Sequence, residues 1–573
     1  MDVEDLFRKL SNGAKFDLKK FQYDAQKLQV IKPKHVVGPF PIQINSQNDV
    51  QHKKLDYEEL TQPQESLSTE LKLIGSITTD GNKKKHLSNK DIRNKEAALN
   101  QEKINRFRNQ QKISVKGHDV PPPIENFEQL VTEYGVGQDI VDNIKNLGYS
   151  VPTPIQMQAI PVMLKNQQIL ACAPTGSGKT AAFLVPLIHH LKGPRRKGFR
   201  AVVVSPTREL AKQTYRECLK LSEGRNLRIH IISKASLAVK KFGPESSKRF
   251  DILITTPNRL VYLLQQDPPV ISLANVKWLV IDESDKLFEA SEDGFRDQLA
   301  VIYRACDSEN VRRALFSATH TPDVARWAHK NLKGLVSVTI GHRNTAADIV
   351  EQQLLFVGTE AGKLVAFRDI VRKGLTPPVL VFVQTKERAK ELFNELLYDG
   401  INVDVIHADR TQLQRDNVVQ SFRRGDIWVL ICTELMGRGI DFKGVNLVIN
   451  YDFPPSVISY IHRIGRTGRA GNPGKAITFF TESDTVNLRS IAQMVQDSGC
   501  EVPEYLLKLK KSSKRDRRKL EKKAPQRERI STVPLCDIEK QKKLQQKIRA
   551  IKRKKKEGNE DRPQASKQKK QKL

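Results

Sequence analysis

The segment that most constrains the fold is Gln168-Ile169-Leu170-Ala171-Cys172, followed by Ala173-Pro174-Thr175-Gly176-Ser177-Gly178-Lys179-Thr180 and an Ala-rich apolar run to His190. The first five residues read as a buried strand, and the run from Lys179 reads as a helix. A glycine-rich turn between them leaves backbone N–H groups free to cradle phosphates at the helix N-terminus. In such a loop Lys179 supplies charge to the β/γ-phosphates, and the Thr180 hydroxyl is a Mg²⁺ ligand. Ala173 stands where the general pattern has Gly. A glycine loop that merely turned the chain would not need strand, loop and helix in this order.

A second apolar run, Trp278-Leu279-Val280-Ile281, ends in Asp282-Glu283. Acids at the carboxyl end of a buried strand point into the ligand crevice of an open α/β sheet. Asp282 is placed to hold Mg²⁺, partly through water, and Glu283 to polarise the water that attacks a γ-phosphate. Alone, the pair also fits a solvated acidic turn; beside Lys179 and Thr180 it completes a nucleoside-triphosphatase set.

Short apolar runs at 168–172, 201–205, 252–255, 278–281 and 314–317 alternate with helical patterns, and a second series follows at 379–384, 402–406, 428–432, 446–450 and 476–480. This alternation predicts α/β architecture, a doubly wound parallel sheet in each half. Only the first half carries the phosphate loop. The expected division is a mostly disordered extension over 1–118, with short helices near 4–10 and 90–110. A first domain follows over 119–341, then a linker over 342–350, a second domain over 351–507 and a disordered basic tail over 508–573.

Of 573 residues, 97 are Lys or Arg against 65 Asp or Glu, a net charge of +32. Residues 508–573 hold 27 basic and 8 acidic side chains, so this tail alone carries +19. Such an excess points to a polyanionic partner. Lys552-Arg553-Lys554-Lys555-Lys556 fits either a solvated polycation or a specific RNA-binding or nuclear-import segment. The six cysteines form no C-x-x-C pair, which argues against a zinc or redox motif and for a reducing compartment. The acidic N-terminus lacks the apolar region of a secretory signal. No apolar stretch reaches the ~18 residues of a membrane span.

The second half contains His462-Arg463-Ile464-Gly465-Arg466-Thr467-Gly468-Arg469. Arg466 and Arg469, three apart, share one face at a helical start and suit a phosphate clamp. With these motifs in order, the chain resembles the DEAD-box ATP-dependent RNA helicases over about residues 124–505. Gly148-Tyr149 with Pro152-Thr153-Pro154-Ile155-Gln156 resembles the adenine-reading Q motif, with Phe127 as its upstream aromatic. Pro206-Thr207-Arg208-Glu209-Leu210 resembles motif Ia, Thr256-Pro257-Asn258-Arg259 motif Ib, and Ser317-Ala318-Thr319 motif III. Val381-Phe382-Val383-Gln384 resembles motif IV, and His407 with Gln412 and Arg415 the element after it. Thr433 to Asp441, with Arg438-Gly439, resembles motif V, and His462–Arg469 motif VI.

The resemblance implies two tandem RecA-like domains with ATP and Mg²⁺ between them. It implies that Gln156 reads adenine with Phe127 stacking nearby, and that Ala173 to Thr180 hold the phosphates. Asp441 would contact the ribose or the closed interface. Arg466 and Arg469 would stabilise the γ-phosphate, and His462 would bridge toward the acids. It further implies an RNA groove from Pro206, Thr207, Arg208, Thr256, Pro257 and Arg259 on one side and Thr433 and Arg438 on the other, with Ser317 and Thr319 coupling the two sites. The chain departs from the pattern at Ser284, where the tetrad has Ala, and at Asn258, where motif Ib has Gly. Ser233-Lys234-Ala235-Ser236 stands where a Gly-Gly pair is expected.

The flanks, including Met1–Leu10 and Asp441–Asn446, resemble one subgroup of the family. That implies a nucleolar role in small-subunit ribosome assembly, with pre-rRNA and ribosome-assembly proteins as partners and a monomeric core. Two other readings stay open: an RNA-binding scaffold with incidental turnover, and a DNA translocase of the same superfamily.

Overall fold

A computed structural model of the chain describes residues 89–232, 235–241, 249–289, 295–341, 349–434, 442, 444–469, 472–522 and 525–532. All of them lie in one compact unit, His86–Leu573. Among the described residues the chain forms two sheets, each with helices on both faces.

The strands of the first sheet are β1 (Ile113–Lys116), β2 (Ile169–Cys172), β3 (Ala201–Val204), β4 (Ile229–Ile231), β5 (Ile252–Thr255), β6 (Trp278–Ile281), β7 (Arg312–Ser317) and β8 (Val336–Ile340), in the order β1-β8-β2-β7-β6-β3-β5-β4. Every pairing is parallel except β1 with β8, which is antiparallel. The second sheet contains β9 (Val350–Phe356), β10 (Val379–Val383), β11 (Val403–Ile406), β12 (Val429–Thr433), β13 (Leu447–Asn450) and β14 (Gly474–Phe480), all parallel, in the order β11-β12-β10-β13-β14-β9.

Successive strand residues point to opposite faces, and each sheet accordingly divides two cores. Ile169, Ala171, Val203 and Val280 enter one core of the first domain, while Leu170, Val202, Val204 and Leu279 enter the other. In the second domain Leu380, Phe382 and Leu430 lie on one side, and Val379, Val381 and Ile431 on the other. Strands buried on both faces read as continuous apolar runs, which is why the central strands are legible in sequence.

The expected domain limits move at both ends. The first domain begins by Asn89 rather than 119: a helix spans Asn89–Gln110, and β1 pairs from Ile113 opposite Ile340 to Lys116 opposite Ser337. Arg108 pins this extension by donating to Gln158 Oε1 and the Pro121 carbonyl, both at 2.9 Å. At the other end, Lys514–Lys522 is helical and residues 525–532 lie against the second domain, where a disordered tail from 508 was expected. The helix expected near 4–10 falls outside the described residues, as do most of the 342–350 linker and residues 533–573.

Candidate active site and nucleic-acid interface

The phosphate loop runs from the end of β2 to the helix Lys179–Leu191, whose N-cap is Gly178. Gly176 and Gly178 have φ of +76° and +85°, a region that side chains enter at a cost. A Cβ at Gly178 would also lie 2.6 Å from Gln156 Nε2. Lys179 Nζ donates to the carbonyls of Ala173 and Pro174, both at 2.8 Å. Burial lowers the Lys179 pKa, and the carboxylates of Asp282, Glu283 and Asp285 oppose that shift. Ala173 is buried, and its N–H donates to the Ser317 carbonyl at 3.1 Å. Thr180 is the second residue of the helix, and Ser177 Oγ is buried with no hydrogen-bond partner.

The Q-motif residues support this loop. Thr153 N–H donates to Gln156 Oε1 at 3.0 Å, and the Thr153 hydroxyl donates to the Ser177 carbonyl at 2.7 Å. Gln156 Nε2 donates to the Gly178 carbonyl at 3.1 Å. The expected adenine reader is therefore also a strut for the phosphate loop, a role the sequence did not suggest. Phe127 corrects an expectation more sharply. It is 2% exposed within the first core, so its ring anchors the motif and presents no open stacking face.

The acids follow β6. Asp282 Oδ1 accepts from the Glu283 N–H at 2.9 Å, and Glu283 has φ 47°, ψ 51°. A non-glycine residue held in this left-handed region marks a site whose surroundings over-determine the backbone. Glu283 Oε2 is buried without a hydrogen-bond partner. Burial and the neighbouring Glu283 charge push the Asp282 carboxyl up to about 7, with the Lys179 charge opposing. Adjacent buried carboxylates with an unpaired oxygen fit a divalent cation. Among the described residues no group of three or more His, Cys, Asp or Glu could hold a metal ion by itself. That donor set fits Mg²⁺, which is commonly shared between one or two carboxylates and substrate phosphates.

Asp285 is the junction between the domains. Its Oδ2 accepts from Thr319 Oγ1 at 2.5 Å and lies 2.6 Å from His462 Nε2, and the His462 and Asp285 side chains are fully buried. His462 thus reaches the last acid of the tetrad. The expected coupling pair divides. Thr319 joins the junction, whereas the Ser317 hydroxyl donates to the Thr319 carbonyl at 2.7 Å and accepts its N–H at 3.1 Å, a local turn. The resemblance implies that His462 bridges toward the acids, and the fold shows which one it meets: Asp285, 177 residues away.

Arg466 and Arg469 do not begin a helix, as the three-residue spacing suggested. The helix Val457–Ile464 ends at Gly465; Arg466 follows in a turn and Arg469 lies beyond it outside any regular element, after Gly468 with φ +65°. Their Nε atoms donate back to the carbonyls of His462 at 3.1 Å and Gly465 at 3.0 Å. The Thr175 hydroxyl donates to the Gly465 carbonyl at 3.0 Å, and a Cβ at Gly176 would lie 3.2 Å from Arg469 Cγ. The clamp segment of the second domain therefore abuts the phosphate loop of the first. Asp441 and Arg438 fall outside the described residues.

The remaining candidates gather at the carboxyl ends of neighbouring strands. Pro206 and Thr207 follow β3, and Thr207 Oγ1 accepts from the Leu210 N–H at 3.3 Å to cap the helix Arg208–Leu221. Thr256 and Pro257 follow β5 and start the helix Pro257–Leu264. Arg208 and Asn258 are exposed. Arg259 donates to the Ile232 carbonyl, and burial, then the charges of Arg208 and Arg415, push its pKa down to about 10. Two helix N-termini beside clustered arginines favour anions. Thr433 ends β12 in the second domain and is half-buried. Helices of the two domains are tied on this side by Arg415 to Glu209 at 3.1 Å, Gln412 to Glu209 at 3.2 Å and Lys212 to Asp416 at 2.7 Å. Glu209 sat unremarked within motif Ia; only the fold reveals its partners.

Comparison with known proteins gives matches along nearly the whole chain. A family described as DEAD/DEAH box helicase matches residues 153–327, and one described as helicase conserved C-terminal domain matches 362–471. The chain is 53% identical to the protein of Bos taurus named probable ATP-dependent RNA helicase DDX52, over 97% of this chain and 99% of that one. It is 42% identical to ATP-dependent RNA helicase ROK1 of Saccharomyces cerevisiae, over 80% and 82%. Among solved structures it is similar to S. cerevisiae Dbp5 bound to RNA and ADP BeF3, with TM-score 0.57, 27% identity, and 66% of this chain and 99% of that one covered. It is also similar to the DEAD-box helicase Mss116 bound to ssRNA and UDP-BeF, with TM-score 0.58, 25% identity, and coverage of 69% and 85%.

Proposed function

The chain belongs to the DEAD/DEAH box helicases, and from that membership we propose that it is an RNA-dependent ATPase that opens short RNA duplexes or remodels ribonucleoproteins during pre-rRNA processing. The observation that carries the catalytic part is Asp285, shared by Thr319 of one domain and His462 of the other. It makes the hydrolytic site a product of both domains.

In this reading the loop 173–180 and Lys179 bind the ATP phosphates, and Glu283 orients the attacking water. Mg²⁺, held by Thr180 and Asp282, supplies charge neutralisation on the phosphate oxygens when bound. Arg466 and Arg469 stabilise charge that develops at the γ-phosphate. Thr207, Arg208, Thr256, Arg259 and Thr433 hold the RNA backbone, so the core reads little sequence. ATP and RNA both favour the same pairing of domains, so each raises the other's affinity. Steady-state ATP turnover with single-stranded RNA, with DNA and with neither tests this. RNA-selective stimulation is expected. Equal stimulation by DNA would favour a translocase, and tight RNA binding without turnover would favour a scaffold.

The assignment to small-subunit ribosome biogenesis, in the nucleus and nucleolus with ribosome-assembly proteins, rests on the resemblance of the flanks to one subgroup of the family. The basic tail supports it as a polyanion-binding segment. Crosslinking followed by RNA sequencing should recover pre-rRNA, and the tagged protein should co-localise with a nucleolar marker. The core is proposed to act as a monomer, which sedimentation would check. Among the described residues no helix is long and apolar enough to cross a membrane.

A further inference from the structure

The segment Pro525–Thr532 lies beyond both matched family regions, yet its contacts converge on the second domain's own motifs. Ile530 is 7% exposed and packs in the core that contains Val379, Val381, Leu392 and Leu396. The backbone N–H of Ile530 donates to Glu391 at 3.1 Å, and that of Thr532 donates to Glu395 at 3.2 Å. Arg388 donates to the Glu528 carbonyl. The segment is thus fastened along the length of the helix Lys386–Tyr398.

Arg527 is the centre of the arrangement. Its side chain is 4% exposed and donates to Glu360 at 2.6 Å, Asp484 at 2.6 Å and Gln384 Oε1 at 2.9 Å. Gln384 Nε2 donates in turn to the Pro525 carbonyl at 2.7 Å. Both ends of the motif IV glutamine are therefore held by this segment. The Gln384 N–H donates to Asp452 Oδ2 at 2.9 Å. Asp452 is fully buried, pairs with Lys363 at 3.1 Å and Arg388 at 2.7 Å, and accepts from Arg463 Nη1 at its own carbonyl at 2.8 Å. Arg463 belongs to the 462–469 segment and also pairs with Glu434, the residue after Thr433, at 3.2 Å.

The buried cluster sets Lys363, Arg388 and Arg527 against Glu360, Asp452 and Asp484. Charges balance three to three only when Arg527 is present, and a buried carboxylate without its counter-ion is strongly unfavourable. Pro525, Arg527, Gln384, Arg463 and Glu434 all line one cavity of about 210 Å³. Polar links through Gln384 and Asp452 run from Arg527 to Arg463.

We infer that Pro525–Thr532 is a clasp built into the second domain and that Arg527 is a positioning residue for ATP hydrolysis, acting through Gln384 and Asp452 on the 462–469 clamp segment. The inference rests on the proposed function for its catalytic consequence, but not for its geometry. The test compares full-length wild type with Arg527→Ala and Arg527→Lys, below the unfolding temperature of each. For Arg527→Ala, turnover at saturating RNA and ATP should fall about 10-fold or more, as small displacements of catalytic groups do. KM for ATP should move less than threefold, because the first domain holds the phosphates. Arg527→Lys keeps the charge and loses the fork to Gln384. It should recover the melting temperature without recovering turnover. Recovery of both by Lys would reduce Arg527 to a structural charge, and wild-type turnover in the Ala variant would overturn the proposal. Backbone hydrogen exchange supplies a readout independent of activity: amides of 382–388 and 457–469 should exchange faster in Arg527→Ala, with those of 169–172 unchanged. Unaltered exchange in those segments would also overturn the proposal. A wild-type protein without RNA-stimulated turnover would instead defeat the helicase reading and leave the exchange result to decide the clasp.

Discussion

Asp285 and His462 meet at 2.6 Å with both side chains out of solvent, one from each domain, and the hydroxyl of Thr319 shares the same carboxylate oxygen. A contact so placed exists only when the domains are paired. His462→Ala and Asp285→Asn should each lower RNA-saturated turnover while ATP binding persists, because the phosphate loop belongs to the first domain alone. A double-mutant cycle on turnover should return a coupling of about 0.5–3 kcal/mol. Strictly additive losses would mean that the pair does not act as a unit.

Glu283→Gln keeps the shape of the side chain and removes the charge that orients water. ATP and RNA binding should survive, and turnover should fall by roughly 10²–10⁴-fold, the range for loss of a positioned general base. Single-turnover hydrolysis at near wild-type speed would assign the base elsewhere.

Ser284 departs from the family tetrad, and its hydroxyl is fully buried without a hydrogen-bond partner. An orphaned buried hydroxyl costs about 1–3 kcal/mol. Ser284→Ala should therefore raise the urea midpoint and leave turnover intact. A drop in either would show that the hydroxyl has a partner in the working enzyme.

Burial by itself would raise the Asp452 pKa, but the charge of Lys363, the bonds and charge of Arg388, and the charge of Arg527 outweigh it and hold the carboxyl far below the usual carboxylate range. A depressed folded pKa favours the ionised form on folding. The stability it adds is present above the ordinary carboxylate pKa of about 4 and is lost as pH falls below that value toward the folded pKa. Asp452→Asn should be destabilised at pH 7, and its deficit should shrink below about pH 4. A deficit that stays constant through that window would remove Asp452 as an ionised anchor.

Residues 533–573 carry 15 Lys/Arg and 5 Asp/Glu. Deleting them should weaken RNA affinity and flatten its salt dependence, since phosphate contacts on a single strand contribute a log–log slope of roughly −0.7 each. RNA-saturated turnover should hold. Deleting 508–573 should in addition cut turnover, because the clasp goes with it. Identical turnover in the two truncations would contradict that distinction, and an unchanged salt slope would leave the tail without a role in RNA binding.

The central strands were legible because both their faces are buried and their residues are uniformly apolar. The strands left unread, β1, β4, β8 and β9, have other signatures, and β8 is the exception among the interior strands because Ser337 and Thr339 interrupt its apolar run. β4 is only Ile229-His230-Ile231 at a sheet edge, and β9 at the edge of the second sheet mixes Glu351, Gln352 and Gln353 into its run. β1 is a polar-looking Ile-Ser-Val-Lys whose register is set by β8, more than 200 residues later. Site chemistry was legible where backbone and side chain act locally, as in 173–180. Where a group is completed from afar, residue pattern alone was silent: the family resemblance brought His462 toward the acids without naming Asp285, and nothing pointed to Arg527 as the partner of Gln384. Charge density alone assigned the clasp to the tail. The apolar Ile530 among charged neighbours was its one signal.

The order of synthesis gives the clasp a further meaning. Glu360, Asp452 and Asp484 all leave the ribosome before Arg527, so the nascent second domain holds three carboxylates against Lys363 and Arg388 until its last turns are made. A chain that stops at Gly471 still sets two carboxylates, Glu360 and Asp452, against Lys363 and Arg388, whereas one interrupted between Asp484 and Arg527 carries an uncompensated charge in its own core. Translation must run about 55 residues past Gly471 before the domain that hydrolysis depends on is electrically complete.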